Sequence, residues 1–199
     1  DSVPSFVPAT LDVAEMGTRL HKVLERYYRG DGDIPYLFDE EMEAWKNGEG
    51  LMSFQPRATD LQIANIKAVY LDNLIAIASG MDGMSESVEG GLELWLMRDV
   101  DDRLALKGKI DRLASAPDGK GLIIFDYKSR GSFSKAELEK QGFQMYIYKL
   151  LVERSYPERE VESAYFVTLR DGSIGALPFV LSSDEVLDDL RRAAEGLAA

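Results

Sequence analysis

The chain has 199 residues, of which 35 are acidic and 23 basic, so its formal net charge at pH 7 is −12, and it contains no cysteine. A hydrophobic fraction of 45% beside 29% charged residues is ordinary for a globular protein and excludes a disordered chain. The lack of cysteine excludes disulfides, thiolate zinc sites, cysteine-bound iron–sulfur clusters and cysteine nucleophiles.

The acidic charge is unevenly distributed along the chain. Residues 98–140 carry ten basic and eight acidic side chains, whereas the remainder carries 13 basic and 27 acidic ones. The net charge argues against binding of nucleic acid by charge alone, but the middle of the chain could meet a polyanion that the rest would repel. The chain begins at Asp1 rather than methionine, from which we expect a fragment of a longer protein.

Three helices are predicted in the first part of the chain, because apolar side chains recur there at the helical period of 3.6 residues. Glycine and capping residues give their ends. The predicted helices cover residues 11–28 with a stop at Gly30, residues 37–45 closed by Asn47 and Gly48, and a long span from an N-cap at Thr59 or Asp60 to about Gly80.

The second part alternates between strand and helix patterns. The predicted elements are strands over 92–97, 104–114 and 122–129, a helix over 134–154, strands over 161–169 and 173–181, and a helix over 182–197 capped by Ser183. Pro117-Asp118-Gly119 is typical of a hairpin turn, and the residues from Leu104 to Arg112 with even numbers are expected on one strand face.

This order predicts an α/β fold in which helices cover a mixed central sheet. We expect a single domain over residues 1–199 with a helical insertion at about 30–85. The longest mostly apolar stretch, Leu71–Ala78, is interrupted by Asp72 and Asn73 and is shorter than the roughly 20 residues that span a bilayer, so no membrane partner is expected.

Two acidic residues and a lysine could form a catalytic centre. Asp126 and Lys128 lie two apart at the end of an apolar strand, so they share a face, and the hairpin could bring Asp111 beside Asp126. Two neighbouring carboxylates repel each other unless a cation lies between them, and a divalent metal would fill that role. The alternative is a set of solvated ion pairs, with Arg112 and Arg130 as the cations.

Two helices carry further candidates. Gly17, His21 and Glu25 share one helical face, on which the imidazole could bind a metal with Glu25 behind it, or could simply be a half-buried histidine. Gln144 and Tyr148 are also four residues apart and could support the carboxylates or contact a phosphate. The alternative is that they are the polar edge of an amphipathic helix.

Taken together, these motifs resemble the RecB-like nuclease family of the PD-(D/E)XK phosphodiesterase superfamily. The motifs in chain order are Gly17-x-x-x-His21-x-x-Leu24-Glu25, Gly108-x-Ile110-Asp111-Arg112, Asp126-Tyr127-Lys128 and Gln144-x-x-x-Tyr148. The resemblance covers roughly residues 11–170 and implies a restriction-endonuclease-like core in the order helix–strand–strand–strand–helix–strand. Ile110 stands where many relatives have proline.

The resemblance implies roles for individual residues. It implies that His21, Asp111 and Asp126 bind Mg²⁺ or Mn²⁺, with the Tyr127 carbonyl as a further ligand, and that Lys128, Asp111 and Asp126 are catalytic. Glu25, Gln144 and Tyr148 would support the site or contact DNA. Some relatives hold an iron–sulfur cluster on four cysteines, which this chain lacks.

The leading hypothesis is therefore a metal-dependent DNA nuclease, expected to be an exonuclease module attached to helicase or recombination-repair domains of a cytoplasmic parent protein. A second hypothesis is a nuclease-fold module that binds DNA or a partner protein without cleavage. A third is an acidic interaction domain in which the motifs occur by accident. Tight Mn²⁺ binding without cleavage would favour the second, and metal binding unaffected by Asp111→Ala would favour the third.

Overall fold

The structure is a computed structural model that describes residues 11–101 and 104–198, with five helices and five strands in that part of the chain. The elements in chain order are α1 (Val13–Arg29), α2 (Ile34–Asn47), α3 (Asp60–Asp82), β1 (Glu86–Asp101), β2 (Leu104–Ser115), β3 (Leu122–Lys128), α4 (Lys135–Ser155), β4 (Val161–Thr168), β5 (Ser173–Leu177) and α5 (Ser183–Ala198). All predicted helices and strands are present, although several differ in length.

The helix ends follow local side-chain chemistry. Gly30 and Gly48 adopt left-handed backbone conformations after α1 and α2, and Thr59 forms a capping box with Gln62 at the start of α3. The helix α2 begins three residues before its predicted start, because the Asp33 carboxylate accepts the Tyr36 backbone N–H and Pro35 fits the first turn.

The five strands form one mixed sheet in the order β1-β2-β3-β4-β5. Only β3 and β4 are parallel, joined by α4 as the crossover, and the other neighbours are antiparallel. The central strand β3 is buried almost throughout, as its apolar start predicts. This arrangement confirms the predicted α/β class and the helix–strand–strand–strand–helix–strand core, with α2 and α3 inserted after α1.

The sheet separates two hydrophobic cores. The first core contains α1, α2 and α3 packed on one face, where Leu20, Leu24 and Phe125 are fully buried. The second core contains α4 and α5 on the other face, with Ile110, Ile124 and Leu151 among its members. Each face of the central strand therefore has its own helical layer, which fixes the position of the strand ends between the two layers.

Ion pairs connect α1 and α2 beneath the surface. Glu41 is only 2% exposed and receives Arg19, Lys22 and Arg26 from α1. The Arg19 guanidinium also bonds to Glu15 and to the backbone of Glu49. Removal of Glu41 would leave several cations without their carboxylate, so this network orients the inserted helix relative to α1.

Two local predictions were wrong. Arg112 does not share the face of Ile110, because the alternation of β2 shifts by one residue between Ile110 and Leu113, which both pack in the second core. The Arg112 guanidinium lies instead on the opposite face of the sheet, the one covered by α1, α2 and α3, and is 3.8 Å from the centroid of the Tyr28 ring. The cap of α5 is Ser182 rather than Ser183, since Ser182 exchanges hydrogen bonds with Glu185.

The helix α3 is also long and apolar enough to cross a membrane, by length and composition alone. Core helices of soluble proteins often meet the same criterion. One stripe of α3, which includes Tyr70, Leu74 and Ile77, packs in the first core, whereas Leu61 is 72% exposed.

Candidate active site

The candidate site lies where β2 and β3 separate. Their backbone pairing ends at Arg112 and Phe125, and beyond that point a side chain takes the place of the backbone ladder. The Asp111 carboxylate accepts the backbone N–H of Tyr127 at 2.7 Å. This bond satisfies the backbone group that the strand pairing leaves free, and it holds Asp111 beside the end of β3.

Asp126 and Lys128 form the second part of the site. The Lys128 ammonium lies 2.6 Å from Oδ2 of Asp126, as their shared strand face predicts. Among the described residues, no well-aligned hydrogen bond reaches this buried Oδ2 atom. The positive charge of Lys128 therefore offsets the cost of burying the Asp126 carboxylate. The carboxylate is 4% exposed and the lysine side chain 24% exposed, which leaves the ammonium as the member of the pair that solvent can reach.

The imidazole of His21 reaches the same place from α1. Nδ1 of His21 lies 3.8 Å from Oδ1 of Asp111, and its ring meets the edge of the Tyr127 ring with centroids 5.6 Å apart. Burial lowers the pKa of His21 to about 4, so the ring is neutral at physiological pH and has a lone pair for a metal. Gly17, one turn earlier, permits close approach, since a Cβ there would lie 3.2 Å from Oγ of Ser129.

Glu93 is a member of the site that sequence reasoning missed. His21, Glu93 and Asp111 each offer a ligand atom, and these atoms all lie within 4.8 Å of one another. Glu93 has a positive φ of 51° and lies across from Asp111, with its carboxylate against Lys109. In the sequence, Glu93 is one polar residue among the alternating polar and apolar residues of a strand. The unusual backbone conformation that brings it to the site has no signature in the sequence.

The folded protein disfavours the ionised forms of Asp111 and Asp126. Burial raises the pKa of Asp111 to about 6, against the opposing effect of the Tyr127 N–H. Burial also raises the pKa of Asp126 to about 6, and the nearby Asp111 charge adds to this increase. A divalent cation would relieve both the burial cost and the repulsion, so the donor set fits a metal.

A chain of hydrogen bonds from α4 supports Lys128. Oε1 of Gln144 accepts from the Lys128 ammonium at 3.4 Å, and Nε2 of Gln144 donates to the Tyr148 hydroxyl at 2.6 Å. Burial raises the pKa of Tyr148 to about 12, so it remains protonated. Gln144 therefore orients the Lys128 side chain, and Tyr148 holds Gln144 in place. Both residues belong to α4, on the opposite face of the sheet from His21.

Glu25 occupies a different environment from the other candidates. Its carboxylate pairs with Arg29, one turn later on α1. An open groove of about 400 Å³ is lined by residues that include Gly17, His21, Tyr127, Lys128 and Arg130. The groove gives a substrate access to the lysine and the imidazole from the α1 side.

The architecture defines a restriction-endonuclease-like α/β protein with paired carboxylates, a lysine and an imidazole at the fork of its sheet. The sequence matches the family model described as PD-(D/E)XK nuclease superfamily over residues 2–199, and the chain belongs to that superfamily. Members of this superfamily use divalent metals, and the acidic cluster of this chain is suited to one.

One similar solved structure comes from Eubacterium rectale and is named "Putative exonuclease". It is 10% identical, with a TM-score of 0.49, and the match covers 92% of this chain. The chain spans 65% of the length of that protein chain. Among curated proteins, none matches this sequence.

Proposed function

We propose that this chain is a metal-dependent deoxyribonuclease of the RecB-like branch that works as the exonuclease module of a helicase–nuclease or recombination-repair protein. The observation that carries the proposal is the Lys128–Asp126 pair beside Asp111 at the fork of β2 and β3. The superfamily supports phosphodiester hydrolysis, and the RecB-like branch is inferred from the motif around His21.

The residues of the site suit a hard divalent cation with one nitrogen ligand. Asp111 and His21 would hold it, with Asp126, Glu93 and the Tyr127 carbonyl as further ligands. Carboxylate oxygens favour Mg²⁺, and an imidazole nitrogen moves the preference towards Mn²⁺. When bound, such a cation supplies Lewis-acid chemistry, since it acidifies water and withdraws charge from phosphoryl oxygens.

Lys128 is the group that acts on the reacting phosphate. Its ammonium would offset the negative charge that develops on the phosphoryl oxygens, and would orient the attacking water by hydrogen bonding. Asp126 forms an ion pair with the ammonium, and Gln144 accepts a hydrogen bond from it, which fixes its direction. Because Tyr148 in turn anchors Gln144, the lysine is positioned before the substrate arrives, which lowers the cost of ordering it in the transition state.

The test is cleavage of end-labelled single- and double-stranded linear DNA in Mg²⁺ and in Mn²⁺. The wild-type chain should cut, and Lys128→Ala should abolish cleavage while it leaves Mn²⁺ affinity nearly unchanged. Lys149→Ala is a matched control, because Lys149 is also mostly buried and pairs with a carboxylate, Glu153.

The product ladder would give the polarity and distinguish cutting from ends from internal cutting. Full activity in Lys128→Ala would remove its assigned role. Tight Mn²⁺ binding by a wild-type chain that does not cut DNA would instead indicate a non-cleaving module.

A further inference from the structure

An exposed tryptophan lies on the β1–β2 hairpin, close to the candidate site. Trp95 is 61% exposed and Met97 is 63% exposed, whereas Leu96 between them is buried in the second core. Because side chains alternate along a strand, Trp95 and Met97 point to the opposite face, the one that carries Glu93. Two adjacent large apolar side chains that are exposed to solvent are typical of a ligand-binding surface.

Lysines accompany both apolar residues on this face. Lys109 is the strand partner of Trp95, and Lys107 is the partner of Met97. The Lys107 ammonium lies 4.9 Å from the centroid of the Trp95 ring. In a chain with a net charge of −12, this combination of an aromatic ring and cations is locally suited to an anionic ligand that has flat apolar parts.

The four residues continue directly from the candidate site. Lys109 is two residues before Asp111 on β2, a step of about 7 Å along a strand, and its ammonium contacts the Glu93 carboxylate. The spacing is comparable with that of successive nucleotides in an extended strand. A ligand that crosses Trp95 would therefore arrive at the acidic cluster within about one nucleotide.

Resting on the proposed function, we propose that Trp95, Met97, Lys107 and Lys109 form a stripe that binds single-stranded DNA and leads it to the site. A base stacks on the exposed surface of Trp95, and Lys107 meets the adjoining phosphate. Bases inside a duplex are stacked on both faces and paired along their edges, so the stripe favours an unpaired strand, in which each base has a face available for stacking. The substrate class is accordingly single-stranded DNA.

The two tryptophans of the chain make this inference directly measurable. Trp45 is 1% exposed and Trp95 is 61% exposed, so stacking changes the emission of Trp95 alone. A twelve-nucleotide oligothymidylate is added in EDTA, which prevents cleavage, and emission is recorded together with fluorescence anisotropy of a labelled strand. We expect quenching by the single strand, little quenching by a duplex of equal length, and none in Trp95→Phe.

Substitutions test the same stripe by affinity. Trp95→Ala should weaken single-strand binding roughly tenfold, and Trp95→Phe should restore most of it, because stacking on a ring persists. Phe54→Ala is the control, since Phe54 is 80% exposed but lies in the loop between α2 and α3.

Equal quenching by duplex, or wild-type affinity in Trp95→Ala, would overturn the inference. Cleavage of single strands without any change in emission would overturn the stripe alone, whereas neither binding nor cleavage would overturn the proposed function with it.

Discussion

Replacement of Asp111 by asparagine should stabilise the metal-free protein. Burial raises the pKa of Asp111 from 3.8 to about 6, so its ionised form is unfavourable in the folded state at neutral pH. This increase in the pKa of Asp111 corresponds to about 3 kcal/mol of folding stability lost at neutral pH. Removal of the charge should therefore raise Tm by roughly 6–12 °C in a domain of this size. The amide oxygen can still accept the Tyr127 N–H, so the substitution retains that hydrogen bond.

The stabilisation should depend on pH with a defined sign. The folded-state pKa of Asp111 exceeds the ordinary value, so the folded protein binds the extra proton between about pH 4 and 6. The resulting stability is present at low pH and is lost as the pH rises through about 6. The amide of the Asp111→Asn variant does not titrate, so the advantage of the variant should be complete at about pH 7.5 and fall to roughly half at about pH 5.

The assay is thermal unfolding in EDTA at both pH values, followed by titration with Mn²⁺. Asp171→Asn is a control of opposite sign: burial acts to raise the pKa of Asp171, but hydrogen bonds from Ser132 and Thr168 outweigh it and lower the pKa, so its loss should destabilise. Mn²⁺ should raise the Tm of the wild type more than that of Asp111→Asn. An unchanged or lower Tm of Asp111→Asn at pH 7.5 would show that the ionised Asp111 carboxylate does not destabilise the folded protein.

Three further substitutions test other parts of the site. Glu93→Gln should weaken Mn²⁺ binding at least roughly tenfold by calorimetry, with Glu89→Gln as the strand control, and equal affinity would remove Glu93 from the ligand set. Gly108→Ala should cost about 1–3 kcal/mol in urea unfolding, because its Cβ would lie 2.9 Å from the Tyr148 ring, whereas Gly142→Ala meets only ordinary contacts and should not destabilise. Tyr148→Phe should lower kcat several-fold without loss of metal affinity, and an unchanged kcat would show that Gln144 needs no anchor.

Much of the fold could be predicted because its signals are local. The period of α1, the glycine after it and the apolar start of β3 each depend on neighbouring residues. The face of Arg112 could not be predicted, because it depends on a one-residue shift in β2 that arises where the strand leaves its partner. Long-range ion pairs such as Arg19–Glu41 leave no pattern in the sequence either.

In the candidate site too, contacts that follow from local sequence patterns could be predicted, whereas contacts that depend on long-range structure could not. Asp126 and Lys128 could be paired from strand alternation, and Gln144 with Tyr148 from helical spacing. The contact between Asp111 and the Tyr127 N–H could be anticipated only as proximity across a hairpin. Glu93 could not be found, since its approach to His21 depends on a backbone conformation that non-glycine residues seldom adopt.

The origin of the site from both layers of the sheet has a consequence for folding. His21 comes from the layer of α1, and the support of Lys128 comes from α4 in the other layer. An incompletely folded chain, in which either layer is not yet packed, lacks part of this set of residues. The proposed cleavage would therefore require both layers to be folded, so that activity and complete folding would be gained together.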